Sequence, residues 1–214
     1  MNDRLKSEFM ALWLGVADDE PAHAEHVCQV LLDRYAEPGR HYHNLDHVEH
    51  CLGQARLVTG LLPDTSALKL AIWFHDSVYN PLARDNEARS AALFRELASP
   101  VMTSPIEDDV ERLVLVTQAG QLPQRDDESY MVDIDLSSFG LPWEPFLADS
   151  LAVRAERPHL TDEQYAVQQS RFLNGLLQRD AVFTTEFFRK RYEEFARSNI
   201  SRYLEAIAAA PREH

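Results

Sequence analysis

The amino-acid sequence predicts an all-α protein. Only seven of its 214 residues are glycine, and apolar residues recur at spacings of three and four rather than in alternation. This is the periodicity of helices that bury one face. No stretch has the alternating pattern of a convincing strand. We therefore expect one helical bundle.

Proline, glycine and capping residues predict the limits of the first three helices. Pro21 suits the first turn of the second helix, and the turn at Pro38-Gly39 ends that helix. Asn44 or Asp46 is placed to cap a third helix that runs to Gly60. The apolar faces of these helices are formed by Phe9, Leu12, Trp13 and Val16, then by Ala24, Val27, Val30 and Leu31, and then by Leu45, Val48, Leu52, Ala55 and Leu57.

Similar signals predict the later helices. Asp64 or Thr65 caps a fourth helix over Leu68–Phe74, which Pro81 stops, and Asp85 caps the next one. From there to the end, the predicted helices cover residues 87–98, 110–117, 143–155, 162–178 and 184–209, with a polar loop over residues 118–129.

Composition limits the function classes. The formal net charge is -14, so the surface repels nucleic acid polymers, and a phosphorylated substrate must be small and held by local cations. The only cysteines, Cys28 and Cys51, suggest neither a disulfide framework nor a thiolate zinc site. The apolar run near the N-terminus is too short for a signal peptide or a membrane span. We expect a cytoplasmic protein with no membrane partner and a possible homodimer.

Five of the nine histidines fall in two segments, residues 40–50 and 73–76. On a helix, His43, His47 and His50 share one face because they are spaced by four and three residues. His75 and Asp76 follow the apolar run Ile72-Trp73-Phe74, which would otherwise have to accommodate an unpaired carboxylate. Imidazole and carboxylate together bind divalent cations. These segments therefore predict the two halves of a metal site.

The remaining ligand must come from elsewhere in the chain. Asp133 and Asp135 flank Ile134 and point in different directions in any regular structure, so one of them faces the site, and Asp135 is the preferred candidate. His50 is expected to be a bystander. The ion itself is not fixed by the residues, because Mn, Mg, Fe, Zn, Co and Ni all suit this kind of donor set.

These segments resemble the H…HD…D ligand set of the HD-domain metal-dependent phosphohydrolases, and the string Tyr42-His43-Asn44-x-x-His47 resembles a signature of cyclic-nucleotide phosphodiesterases. The longer match is to a group of small bacterial predicted metal-dependent HD phosphohydrolases. Its motifs are R-x-Y-H-N-L-x-H at 40–47, W-F-H-D-x-V-Y at 73–79, D-N-E-x-x-S-A at 85–91, D-I-D-L-x-x-x-G at 133–140, Arg154-Ala155-Glu156 and Ala196-Arg197-x-Asn199.

The resemblance implies a single HD-type helical bundle over residues 1–214, with the metal-site core at roughly 20–140 and a helical extension at roughly 141–210. It implies a divalent-metal-dependent phosphohydrolase that acts on a small phosphoester or nucleotide, with a metal-bound water as the nucleophile. The alternative is a catalytically silent metal-containing module that binds a nucleotide or a protein partner. The implied metal ligands are His47, His75, Asp76 and Asp135.

The resemblance also implies roles for other side chains. His43 takes the place of the general acid, Asp76 orients the water, and Glu87 supports a ligand. Arg40 and Arg154 are candidates for substrate contact, because guanidinium matches phosphate oxygens bidentately. Asn44 is a further candidate. The chain departs from its relatives in one place, because Thr117-Gln118-Ala119-Gly120-Gln121 lacks the histidine that they commonly carry there. A histidine-rich two-metal site is therefore improbable.

Overall fold

The computed structural model describes residues 2–209, and within that range every regular element is a helix and none is a strand. The predicted all-α class is confirmed. The α-helices are α1 (Asn2–Val16), α2 (Pro21–Tyr35), α3 (Leu45–Leu57), α4 (Ser66–Phe74), α5 (Asn86–Ala98), α6 (Ser104–Leu115), α7 (Asp126–Asp135), α8 (Trp143–Ala155), α9 (Asp162–Leu177) and α10 (Glu186–Ala209). A short 3-10 helix, Leu136–Gly140, follows α7.

Several predicted helix limits agree with the structure. Pro21 lies in the first turn of α2, and α8 covers the predicted range. Asn44 is the N-cap of α3, where its side chain accepts a hydrogen bond from the Asp46 amide at 2.9 Å. At α4 the N-cap position is Thr65, but the side chain that accepts a hydrogen bond from the Ser66 amide is that of Asp64. At α5 the N-cap position is Asp85 as predicted, but its side chain makes no capping hydrogen bond.

Three limits differ from the prediction. The third helix ends at Leu57 rather than at Gly60. Helix α6 begins at Ser104 instead of residue 110, because Pro105 fits the first turn of a helix, where no intrahelical donor is needed. Helix α7 begins inside the segment predicted as a polar loop over residues 118–129. Its acidic first turn suits the positive end of a helix dipole.

The chain divides into two compact units, Met1–Ile134 and Asp135–His214. The boundary falls at the last residue of α7. The first unit is built around α4, which packs against α1, α3, α5 and α6. Six of its nine residues are buried, which is the pattern of a helix that has no solvent-facing side. The segment that follows α4 therefore starts in the centre of this unit.

The second unit is organised by α10, which packs against the 3-10 helix, α8 and α9. Asn199 of α10 donates to the main-chain oxygens of Phe139 and Leu141, at 2.9 and 2.7 Å. Gly140 lies against Tyr192 so closely that a Cβ atom there would come within 2.4 Å of the Tyr192 Cβ atom. The prediction of one domain over residues 1–214 stays a prediction, and residues 1 and 210–214 lie outside the described residues.

Candidate metal centre

Three electron-pair donors from two parts of the first unit converge at the C-terminal end of α4. The Nε2 atoms of His47 and His75 are 3.1 Å apart. The Asp76 Oδ2 atom lies 3.0 Å from the His75 Nε2 atom and 3.7 Å from the His47 Nε2 atom. Ligands that bind one ion at about 2.0–2.2 Å are separated from each other by distances of this order.

Helix geometry explains how the three side chains meet. His47 lies in the first turns of α3 and is 5% exposed. His75 directly follows the last residue of α4, and its main-chain N–H still donates to the Ala71 oxygen at 2.8 Å. Since α4 ends at this point, Asp76 is not held in a further helical turn, and its carboxylate lies beside the His75 ring. The end of the buried helix thus presents two consecutive side chains to the same point.

A hydrogen bond fixes the protonation of the His75 ring. Its Nδ1 atom lies 2.8 Å from the Ile72 main-chain oxygen. A carbonyl oxygen only accepts, so Nδ1 carries a proton, and whenever the ring is neutral its Nε2 atom offers a lone pair to a metal ion. Such a bond on the far nitrogen is typical of metal-binding histidines, because it orients the ring and increases its basicity.

Asp135, the last residue of α7, forms a second such group with the same two histidines. One carboxylate oxygen of Asp135 and one ring nitrogen each from His47 and His75 all lie within 4.8 Å of one another, so these three residues could hold a metal ion. Asp133 is completely buried and is not in the group. The preference for Asp135 agrees with this arrangement.

The charge of the cluster favours ionised Asp76. Burial by itself raises the pKa of this carboxyl, but the nearby His75, His43 and His47 rings favour the charged form when they carry a proton and a positive charge, and the resulting pKa is below the ordinary range of aspartate. Two imidazole lone pairs and an anionic oxygen that face one another repel unless a cation or a proton lies between them. The donor set therefore fits a divalent metal ion, with nitrogen and oxygen ligands of borderline hardness.

His43 lies beside this cluster in the loop before α3. The centre of its ring is 6.1 Å from that of His47 and 4.2 Å from that of Tyr79, on which it stacks at an interplanar angle of 22°. The edge of its ring also meets Tyr42. His43 is half-buried. The sequence placed His43 on one helix face with His47, but α3 begins at Leu45 and His43 lies before it. Its part-exposed position beside a ligand suits a proton donor, and this role stays a prediction.

The Arg40 side chain has partners within the protein, and its predicted substrate contact stays a prediction. Its side chain is 3% exposed, and its five N–H groups donate to protein oxygens, namely those of the Glu37 carboxylate and the His43, Asp76 and Ser77 main chain. A guanidinium has five such groups and no more. Each of the five donors of Arg40 therefore already has an acceptor within the protein.

Asn44 and Arg154 also have structural partners. The Asn44 amide caps α3 and donates to the His41 oxygen at 3.0 Å, so its oxygen and nitrogen are both used at the helix start. Arg154 binds the Asp162 carboxylate and the main-chain oxygens of Arg157 and Leu160 within the second unit. The predicted substrate contacts of both residues stay predictions.

Glu87 lies in the first turn of α5 and is half-buried. Two of its neighbours attach α5 to the segment after Asp76. Asn86 exchanges two 3.0 Å hydrogen bonds with the main chain of Asn80, and the Ser90 hydroxyl accepts from the Val78 amide at 3.0 Å. The motif at residues 85–91 thus contributes to holding the site loop, and the supporting role of Glu87 stays a prediction.

The sequence analysis did not predict two contacts around the candidate site, one of Cys51 and one of Tyr79. The thiol of Cys51 packs on the His47 ring, with Sγ 3.7 Å from Nε2; the spacing of four residues on α3 was the available signal. Tyr79 stacks on His43, but no local pattern indicates that the chain after α4 returns to the loop before α3.

The fold and the cluster define a class: an all-α protein in which histidine and aspartate side chains form a group that could hold a metal ion. Comparison with known proteins adds no relative to this description, because no protein-family model, no curated protein and no solved structure matches the chain. Among residues 2–209, no helix has the length and apolar composition needed to cross a membrane.

Proposed function

We propose that this protein is a divalent-metal-dependent phosphohydrolase of the HD-domain type that acts on a small phosphoester or nucleotide. The observation that carries the proposal is the convergence of His47, His75 and Asp76 within 3.7 Å of one another, with the half-buried ring of His43 beside them.

Each side chain has a chemical task in this proposal. His47, His75, Asp76 and Asp135 hold the ion. A divalent ion bound there supplies Lewis acidity toward a phosphoryl oxygen and lowers the pKa of water. The Asp76 carboxylate is charged at neutral pH, and its lowered pKa makes it a weak proton acceptor. Its task in this proposal is therefore to bind the ion and to orient a water molecule.

His43 supplies the proton that the leaving alkoxide needs. An alkoxide is a poor leaving group, and a positioned acid that protonates it increases the rate by about 10²–10⁴-fold. Stacking on Tyr79 restricts the rotation of the His43 ring, and the residue is part-exposed. The ring is thus held in place while remaining able to exchange its proton with solvent.

Metal reconstitution tests the proposal. The purified chain is stripped with a chelator, loaded separately with Mn, Mg, Fe, Zn, Co or Ni, and assayed for phosphate release from a panel of nucleotides and phosphomonoesters. We expect turnover with at least one ion and one ester class. Full metal loading without turnover of any ester would favour the silent binding module, for which the Thr117–Gln121 segment without histidine is the supporting observation.

A further inference from the structure

Arg40 connects the proton-donor loop to the metal-ligand segment through one nitrogen. Its Nη1 atom donates to the His43 main-chain oxygen at 3.1 Å and to the Asp76 main-chain oxygen at 2.6 Å. Its Nη2 atom donates to the Ser77 oxygen at 3.1 Å. These bonds join two segments separated by 36 residues in the chain. The distance between the His43 and Asp76 backbones therefore depends on this side chain.

Arg40 is itself held from two directions. The Glu37 carboxylate accepts from its Nε and Nη2 atoms, at 3.2 and 3.0 Å. The guanidinium also lies against two aromatic rings, 5.4 Å from the centre of Tyr35 and 5.7 Å from that of Tyr79. Charge-assisted bonds and cation–π contacts are strong when water is excluded. The connection is thus rigid.

The Tyr79 ring extends the same arrangement to the imidazole. Arg40 contacts the Tyr79 ring, and the His43 ring stacks on Tyr79. Arg40 therefore holds His43 twice, through its main-chain oxygen and through the ring on which the imidazole rests.

We propose that Arg40 is a positioning residue that fixes the His43 ring relative to the His75–Asp76 segment. The inference rests on the proposed function, in which His43 is the proton donor. Arg40 does not contact the substrate. Its effect on the reaction is exerted through His43, whose proton must be delivered to one leaving oxygen. A displacement of about 1 Å in a proton donor lowers the rate by up to 10²-fold.

Lysine cannot replace Arg40. An ammonium group has three donors on a single atom, whereas the guanidinium has five donors in a planar fork that also packs on rings. The variant Arg40→Lys keeps the charge and loses the geometry. Its matched control is Arg197→Lys, because Arg197 likewise donates to one carboxylate, that of Glu193, and to three main-chain oxygens, but within the second unit.

The decisive measurement compares two esters of the same phosphate at full metal loading. A nitrophenyl ester needs no proton donor because nitrophenolate leaves readily, whereas an alkyl ester needs one. We expect Arg40→Lys to lower turnover of the alkyl ester by about 10²-fold and that of the nitrophenyl ester far less. Equal losses on both esters, or no loss, would overturn the proposal, because a role in stability alone reduces both rates together.

Hydrogen exchange separates this inference from the proposed function. The amides of Asn44 and Asp46 are hydrogen-bonded in the loop that Arg40 holds. In Arg40→Lys they should exchange about 10-fold faster or more, since loss of a charge-assisted bond is worth that factor, while α4 amides stay protected. Unchanged exchange at Asn44 and Asp46 overturns the inference whether or not the parent protein turns over an ester.

A second variant covers the case in which Arg40→Lys fails to fold. Tyr79→Leu removes the ring between Arg40 and His43 and leaves the five hydrogen bonds of Arg40 in place. It should again lower turnover of the alkyl ester more than that of the nitrophenyl ester, by a smaller factor. An equal effect on the two esters contradicts the proposal.

Discussion

The His47 and His75 rings face each other through their Nε2 atoms at 3.1 Å, although 28 residues separate them in the chain. The Nδ1 atom of His75 donates to the Ile72 oxygen, so the Nε2 lone pair of that ring points toward His47 and Asp76. Two imidazoles placed in this way are arranged for a shared cation. The predictions below follow from this relationship and from the contacts around it.

Replacing His75 with alanine should abolish metal binding. The variant loses the nitrogen closest to both other donors, and we expect metal affinity to fall by more than the roughly 10–100-fold that accompanies loss of a residue that only orients a ligand. Calorimetric titration with Mn²⁺ or Zn²⁺ and elemental analysis measure the effect. His50→Ala is the control and should retain its metal. One tightly bound ion per chain in His75→Ala would contradict the assignment.

Alanine at position 43 should separate metal binding from catalysis. His43→Ala should keep its metal content and lose about 10²–10⁴-fold in turnover of an alkyl phosphoester, because only the proton donor is removed. His47→Ala should lose both. Parallel assays of phosphate release and metal content distinguish the two variants. If both lose their metal to the same extent, the division of roles between these histidines is wrong.

Asp19 should make the stability of the first unit depend on pH. Its carboxylate accepts from the Trp13 indole at 2.6 Å and pairs with His23 at 2.7 Å, and its side chain is 2% exposed. Burial raises the pKa of Asp19, but the bonds from His23, Trp13 and the Glu20 amide outweigh this effect and lower it. The stabilisation is therefore complete above the ordinary aspartate pKa of about 3.9 and is lost as the pH falls below it.

The substitution Asp19→Asn tests this dependence. It should reduce the free energy of unfolding at pH 7 by about 1–3 kcal/mol, and the difference from the parent protein should shrink in acid. Urea denaturation at several pH values gives the measurement. Asp33→Asn, at an exposed position on α2, is the control. A difference that stays constant down to about pH 3 would show that the Asp19 charge is not responsible.

Two glycines of the second unit should respond in opposite ways to alanine. A Cβ atom at Gly140 would lie 2.4 Å from the Tyr192 Cβ atom, whereas none of the described atoms lies within 4 Å of a Cβ atom at Gly175. Gly140→Ala should destabilise by at least the 1–3 kcal/mol typical of overpacking. Gly175→Ala, within α9, should stabilise by roughly 0.5–1 kcal/mol because alanine favours a helix. Thermal denaturation compares them, and equal melting temperatures would contradict the close approach.

Much of the fold followed from local signals. Pro21 and Asn44 act over three or four residues, so their effects are visible in sequence. Helix α7 was missed because its apolar side chains form no clear stripe. Its first turn is instead stabilised by Arg112 of α6, which binds the carboxylates of Asp127 and Glu128 in α7. Such a tertiary contact has no local sequence pattern.

The candidate site divides in the same way. The spacing of His47, His75 and Asp76 indicated ligands, and the structure brings them together. The role of Arg40 could not be predicted, because its acceptors are mainly main-chain oxygens, which every residue carries. An arginine near histidines therefore suggested a phosphate contact, although its donors are used within the protein.

The separation in sequence between the two halves of the candidate metal centre affects how much of the protein is folded. In an unfolded chain, His47 and the His75–Asp76 pair lie at opposite ends of a long flexible loop, and bringing them together costs entropy. An ion that binds them therefore acts as a removable cross-link between α3 and the end of α4. At a free concentration of 100 times its Kd, it would stabilise the folded state by about 2.7 kcal/mol. The metal content of the surroundings would then help to set how much of this chain is folded and escapes proteolysis.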